Sequence, residues 1–167
     1  MSSLVFVSVG TDHHPFDRLI RWVDAWLPEG VQCVVQHGTS APPRRAEGVA
    51  YLDHAALTSL LDEAAVVVCH GGPTTITESR RHGRRPIVVP RDPALGEHVD
   101  DHQQRFCARM AAKGLITTAA DENAFRGLVD HALATPDDYA VVADGGDVAE
   151  SVARFGGLVA DLLARRG

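Results

Sequence analysis

The sequence predicts an α/β fold, a Rossmann-like parallel sheet with helices on both faces. Three observations lead there. Short β-branched apolar runs alternate with longer segments of helical spacing. Most of the runs stop at a glycine, a proline or a polar turn. The most uniform run, Ala65-Val66-Val67-Val68-Cys69, has no polar side, as a strand buried on both faces requires.

The elements follow in order. Residues 4–9 form an apolar run that ends at Gly10, a first strand. Residues 15–27 carry Phe16, Leu19, Ile20, Val23, Trp26 and Leu27 at helical spacing, and Pro15 suits a first helical turn. Residues 31–36 are a second strand closed by His37-Gly38. The Ser-, Pro- and Arg-rich stretch 39–48 is a loop, and 49–52 a brief third strand. A helix over 57–64 leads into the central strand 65–69. His70-Gly71-Gly72-Pro73 turns the chain into a helix over 74–82, stopped by Gly83. Then come a strand at 86–89, a loop at 90–97, a helix at 99–113 ending at Gly114, and a strand at 115–118. A helix follows at 121–133, whose Asp121 and Glu122 suit its N-terminal dipole. Residues 136–146 are loop-like. A last helix over 148–164 shows an apolar stripe, which reads either as core packing or as a docking surface for a partner. Right-handed crossovers favour the strand order 3-2-1-4-5-6. No repeat or linker divides the 167 residues, so one domain is expected over 1–167.

Composition narrows the function. At this length about 69% of the unfolded surface is buried on folding, enough for a core without metal or disulfides. The net charge of −6 lacks the basic excess of a nucleic-acid binder. Cys33, Cys69 and Cys107 are scattered, with no CxxC pair, as in a reducing compartment. The opening MSSLVFVSVG has no basic region and is too short for a signal or membrane span. A cytoplasmic protein is expected, with any membrane contact coming through a partner.

Ligands of such sheets bind beyond the carboxyl ends of the strands, near the switch between strands 1 and 4. Gly10-Thr11-Asp12-His13-His14, His37-Gly38-Thr39-Ser40 and His70-Gly71-Gly72-Pro73-Thr74-Thr75 all fall there. In the last of these, two glycines allow close approach of a phosphate, and the Thr74 and Thr75 amides and hydroxyls open a helix whose partial positive charge favours an anion. The same residues also suit a plain strand-to-helix turn, with Gly for positive φ and Thr as cap. Neither GxxxxGK[ST] nor GxGxxG is present. Glu78 lies one helical turn on, where a carboxylate can accept both hydroxyls of a ribose; Thr75-x-x-Glu78 also reads as a capping box. His98 and His102 are four apart, but no third ligand has a spacing that suits a metal. The Asp, His and Gln residues of 97–104 offer the mixed donors and acceptors that sugar hydroxyls need.

The blocks VSVGTDHHPFDRLI, VVQHGTS, VVVCHGGPTTITESRRHGRRPIVVPR and GEHVDDHQQRFCARMAAKGL resemble the C-terminal, nucleotide-sugar-binding half of glycosyltransferase family 28. The likeness covers roughly residues 4–118. It is nearest to free-standing short members: the catalytic subunit of the two-component UDP-GlcNAc transferase of N-glycan assembly, and bacterial exopolysaccharide subunits of the same build. These are GT-B enzymes split into two chains, in which a membrane-attached partner supplies the acceptor half.

The resemblance implies a donor-binding subunit of an inverting transferase. It moves GlcNAc, glucose or glucuronate from UDP to a lipid-linked or polysaccharide acceptor. A UDP-sugar-binding module without catalysis is the alternative. Gly10, Thr11, His70, Gly71, Gly72, Thr74 and Thr75 match the diphosphate site, Glu78 the ribose site, and Tyr51 and Leu52 the uracil site. Gln103, with His102 and Gln104, matches the sugar-reading site. Pro73 departs from the small residue common in relatives and removes an N–H donor. No cofactor or required metal is implied. The family's general base lies in the absent half. His13 or His14, at the end of strand 1, can serve in its place, since histidine titrates near neutrality; both also read as solvent-facing loop residues. Apart from the partner half, an exposed docking face makes a homodimer conceivable.

Overall fold

The computed structural model describes residues 3–142. The helix expected over 148–164 lies outside the described residues. Six parallel strands form one sheet: β1 (Leu4–Ser8), β2 (Gln32–Gln36), β3 (Glu47–Val49), β4 (Val66–Cys69), β5 (Ile87–Val88) and β6 (Thr117–Thr118). Their order is β3-β2-β1-β4-β5-β6, as the crossover rule predicts. Five helices connect and follow them: α1 (Asp17–Trp26), α2 (His54–Glu63), α3 (Pro73–Arg81), α4 (His102–Ala112) and α5 (Glu122–Ala134).

The period-two alternation of the strands divides the core into two layers. Val5, Val7, Val66, Val68 and Ile87 face α1 and α5, where they meet Leu19, Val23, Phe125 and Val129. Phe6 and Val67 face the opposite layer and pack on Leu61 of α2. Cys69 and Val88 on that side meet Ile76 of α3 and Cys107 and Met110 of α4. The indole of Trp26 in α1 donates to Asp130 of α5 at 2.8 Å, fixing the two helices of the first layer. β1 and β4 sit at the centre and are buried on both faces, which is why their sequences are almost unbroken apolar runs.

Several boundaries differ from the expectation. β3 falls at 47–49 and not at 49–52, and α2 begins three residues early, because the Asp53 carboxylate caps it by accepting from the Ala56 amide at 2.8 Å. α4 begins at His102 and not at Val99; the Asp100 carboxylate accepts from the His102 amide at 3.0 Å and holds 98–101 as a loop. β5 and β6 contain only two residues each. Within the stretch expected as a loop after α5, Pro136–Tyr139 form a 3₁₀ turn, with Tyr139 buried. All three cysteines are free and buried, and burial pushes the Cys33 and Cys107 thiols up to about 12. Among the described residues no helix is long and apolar enough to cross a membrane.

Candidate functional site

A cleft of about 520 Å³ opens at the carboxyl ends of β1, β2 and β4. Its floor is polar because the central strands end in polar residues. Ser8 Oγ donates to Gln36 Oε1 at 2.8 Å, and Gln36 Nε2 donates to the carbonyls of Gly10 at 3.1 Å and Ala50 at 2.8 Å. Gly10 stands at φ +79°, a left-handed conformation that favours glycine.

The far wall is the start of α3. Gly72 is its N-cap and makes no side-chain cap bond; Pro73 is the first helical residue. That placement answers the difficulty raised by Pro73, because the first-turn N–H it lacks has no acceptor within a helix in any case. The amides of Thr74 and Thr75 belong to the same unsatisfied first turn, and both residues line the cleft. Thr75 therefore is not the cap, and no capping box with Glu78 forms. Tyr51 and Leu52 line the opposite side, with Tyr51 55% exposed.

The glycines of the β4–α3 turn have a reason the sequence did not show. Neither Gly71 nor Gly72 has a positive φ. A Cβ on Gly72 would collide with the His70 ring, and so would one on Gly10. A Cβ on Gly71 would lie 2.6 Å from Cys107 Sγ and 3.2 Å from Gln103 Oε1. The three glycines make room for protein side chains, and the alternative reading of Gly71 and Gly72 as positive-φ turn residues is corrected. The amide of Gly71 is likewise taken by Gln103 Oε1 at 3.2 Å.

The family model for the glycosyltransferase family 28 C-terminal domain matches residues 4–140. The chain belongs to that family. Among solved structures, the calicheamicin glycosyltransferase CalG4 is similar at 15% identity and a TM-score of 0.60, over 93% of this chain and 42% of that one. The spinosyn rhamnosyltransferase SpnG complexed with thymidine diphosphate is similar at 17% identity and a TM-score of 0.57, over 96% of this chain and 45% of that one. MurG of Acinetobacter baumannii is similar at 17% identity and a TM-score of 0.53, over 92% of this chain and 50% of that one. At such identities the likeness is one of fold, that of the C-terminal half of GT-B glycosyltransferases. The chain spans half or less of the length of these solved relatives. No curated protein sequence matches it.

The cleft of this family 28 domain gathers some of the expected residues and not others. Gly10, Thr11, His70, Gly72, Thr74, Thr75, Tyr51, Leu52 and Gln103 line it. Glu78 does not; its carboxylate accepts from Arg81 at 2.9 Å one turn along α3. His102 lies outside the lining and pairs with Asp100 at 2.6 Å, while Gln104 is exposed on the outer side of α4. His13 is 84% exposed and stacks on His14, ring centroids 4.1 Å apart.

His14 also lies outside the lining, beside Asp12 which is in it, but it is the more firmly held of the two. Its Nδ1 lies 2.5 Å from Asp12 Oδ1, which also accepts the His14 amide at 2.7 Å. Burial alone would raise the Asp12 carboxyl. The hydrogen bonds from the His14 amide and ring, with the charge of Arg91, outweigh it and hold Asp12 below the usual carboxylate range. An ionised carboxylate only accepts, so Nδ1 carries the shared proton and Nε2 of a neutral His14 keeps its lone pair. Asp12, His13 and His14 bring their ligand atoms within 4.8 Å of one another, a set able to hold a cation. With His14 bonded to Asp12 and His13 turned to solvent, the geometry is that of a hydrogen-bonded dyad. His98 and His102 both face Asp100, at 3.6 and 2.6 Å, and form no metal pair.

Arg91 went unnoticed in the sequence. It is fully buried, and its guanidinium donates to the carbonyls of Val9 at 2.6 Å, His14 at 2.6 Å and Glu97 at 2.9 Å. The Glu97 carboxylate in turn holds Arg18 through two bonds of 2.9 Å and accepts the Asp92 amide at 2.8 Å. One network thus joins the loop after β1 to the loop after β5. The signal for it was slight: one more arginine in an Arg-rich chain.

Proposed function

We propose that this domain is the donor-binding half of an inverting, UDP-dependent glycosyltransferase. It transfers a hexose-type sugar such as GlcNAc, glucose or glucuronate to a lipid-linked or polysaccharide acceptor. A membrane-associated subunit of the N-glycan or exopolysaccharide type supplies the acceptor half, and the domain works at the cytoplasmic face of the membrane. The observation that carries the reading is the start of α3: two first-turn amides without helical acceptors, Thr74 and Thr75, in the wall of the cleft. The solved relative SpnG with thymidine diphosphate supports a pyrimidine nucleoside diphosphate as the ligand class.

The diphosphate lies against Thr74 and Thr75, with Gly10, Thr11, Gly72 and His70 around it. Preorganised N–H dipoles stabilise the charge that develops as the bond from the anomeric carbon to the diphosphate breaks. Tyr51 and Leu52 flank the base. Glu78 reaches the ribose after leaving Arg81, an exposed partner whose ion pair contributes little. The acceptor oxygen attacks the anomeric carbon from the opposite face and gives its proton to His14 Nε2, while Asp12 steadies the imidazolium that forms. No step requires a metal.

Isothermal titration with UDP tests the ligand class, and an absence of heat at millimolar UDP removes the reading. Co-expression with an apolar-anchored acceptor half, followed by assay of transfer to a polyprenyl-linked acceptor, tests the reaction. UDP binding without transfer in any pairing returns the domain to a binding module.

A further inference from the structure

We propose that Gln103 is a positioning residue: it fixes the neutral His70 ring as the Nε2–H tautomer and so presents the cleft with an uncharged N–H donor held between Gly10 and Gly72. The inference rests on the proposed donor site only for what that N–H meets. The tautomer itself follows from the hydrogen bonds.

The orientation of the Gln103 amide is decided by the main chain. Its Oε1 accepts from two backbone amides, Gly71 at 3.2 Å and Arg91 at 3.1 Å. Turning the amide over would aim its NH₂ at two N–H groups that have no lone pair to offer. The NH₂ therefore points the other way, where Nε2 lies 3.3 Å from His70 Nδ1. An amide nitrogen donates and does not accept, so Nδ1 must be the unprotonated nitrogen of the ring. A neutral imidazole has one N–H, which leaves it on Nε2.

The ring stays neutral. Burial, with the charge of Arg91 added, pulls His70 down to about 3. His70 lines the cleft, and its Nε2 has no partner among the described residues. The ring is fixed on both sides, since a Cβ at Gly10 or Gly72 would strike it. Its backbone amide is tied to the Ser8 carbonyl at 3.0 Å. A donor so fixed suits an oxygen of a diphosphate. Being uncharged, it gives a hydrogen bond without a full countercharge that would hold the departing nucleotide.

Gln103 was expected to read the donor sugar. Whatever it does for the sugar, its amide acts on His70 and ties the turn after β4 to the loop after β5. Its two acceptor bonds use both lone pairs of Oε1 and one N–H goes to His70 Nδ1, a combination that glutamine at this length supplies, with a second N–H left over. Glutamate has the same shape and accepts both amides, but it has nothing to donate to Nδ1.

The test is long-range ¹H–¹⁵N correlation NMR of His70 at neutral pH, with UDP titrations on the same proteins. Wild type is expected to show the Nε2–H pattern. Gln103→Glu is expected to move the proton to Nδ1, and Gln103→Leu to give a mixture. UDP should bind each variant about tenfold to a hundredfold more weakly, the loss of one hydrogen bond to a charged acceptor; the leucine variant shows this without adding a negative charge. An Nδ1–H pattern in wild type, or an unchanged Nε2–H pattern in Gln103→Glu, overturns the inference. If Gln103→Glu does not fold, the wild-type spectrum alone decides the tautomer. Variants with a shifted tautomer and wild-type affinity overturn the donor role. If wild type shows Nε2–H but binds no UDP, the proposed donor site fails while the control of His70 by Gln103 stands.

Discussion

Asp12 receives both the backbone amide and the ring Nδ1 of His14 through one carboxylate oxygen, at 2.7 and 2.5 Å. Two bonds from one residue to one atom fix the imidazole more firmly than a single contact can. The neighbouring His13, 3.9 Å from the same oxygen and largely in solvent, has no such restraint.

This asymmetry separates the two histidines experimentally. In the proposed transferase, reconstituted with an acceptor half, His14→Ala should lower turnover by about 10²–10⁴-fold, the range for loss of a general base. Asp12→Asn should lower it as well, since a carboxamide can present N–H where Nδ1–H needs an acceptor. His13→Ala should remain close to wild type. Steady-state rates at saturating donor check all three, and equal losses at His13 and His14 would sink the assignment.

Gly72 and His70 form a second pair open to test. Gly72 has an ordinary φ of −76°, so alanine there meets no backbone strain and only the His70 ring opposes it. Gly72→Ala should destabilise the domain by about 1–3 kcal/mol, the range for overpacking. In a His70→Ala background most of that cost should vanish. Chemical denaturation of the four proteins of the cycle measures the coupling, and additive effects would mean that the ring is not what excludes a side chain.

His70 also links stability to pH. Its ordinary value is 6.5, and in the fold it is lowered to about 3. Between these values the unfolded chain binds a proton that the folded chain does not, so stability rises with pH across the window. The contribution is complete above pH 6.5 and is lost as pH falls toward 3, at up to about 1.4 kcal/mol per pH unit. Urea unfolding from pH 4 to 7 should show a steeper dependence in wild type than in His70→Asn. Parallel curves would refute the buried, neutral ring.

Glu78 gives the sharpest test of the ribose. Glu78→Ala should weaken UDP by about 1–3 kcal/mol, one or two hydrogen bonds, and leave thermal stability nearly unchanged, because the Arg81 pair it gives up is solvated. Titration calorimetry reads both sides of the comparison when run beside a melt. Unchanged affinity would leave Glu78 as a partner of Arg81 and nothing more.

The parts legible in sequence were those written in local patterns. β1 and β4 are read from unbroken apolar runs because both their faces are covered. β3 slipped because a three-residue edge strand, Glu47-Gly48-Val49, has almost no hydrophobic signal. The start of α4 was misplaced because Val99 looked like a helix-facing apolar residue and is in fact 74% exposed. The cleft was legible wherever a strand end carried a glycine or a threonine. The hydrogen bonds of Gln103 were not, since its partners lie 32, 33 and 12 positions away and meet only in the folded chain. Arg91 was hidden for the same reason: nothing local marks the one arginine that three carbonyls will surround.

Those three carbonyls have a mechanical meaning. Since a single guanidinium fastens Val9, His14 and Glu97, the loop after β1 and the loop after β5 behave as one rigid piece behind the cleft. Ordering these loops adds no entropic cost at the moment of capture. In the proposed transferase, the travel needed to enclose a substrate would then fall to the acceptor half, which closes toward a stationary anvil.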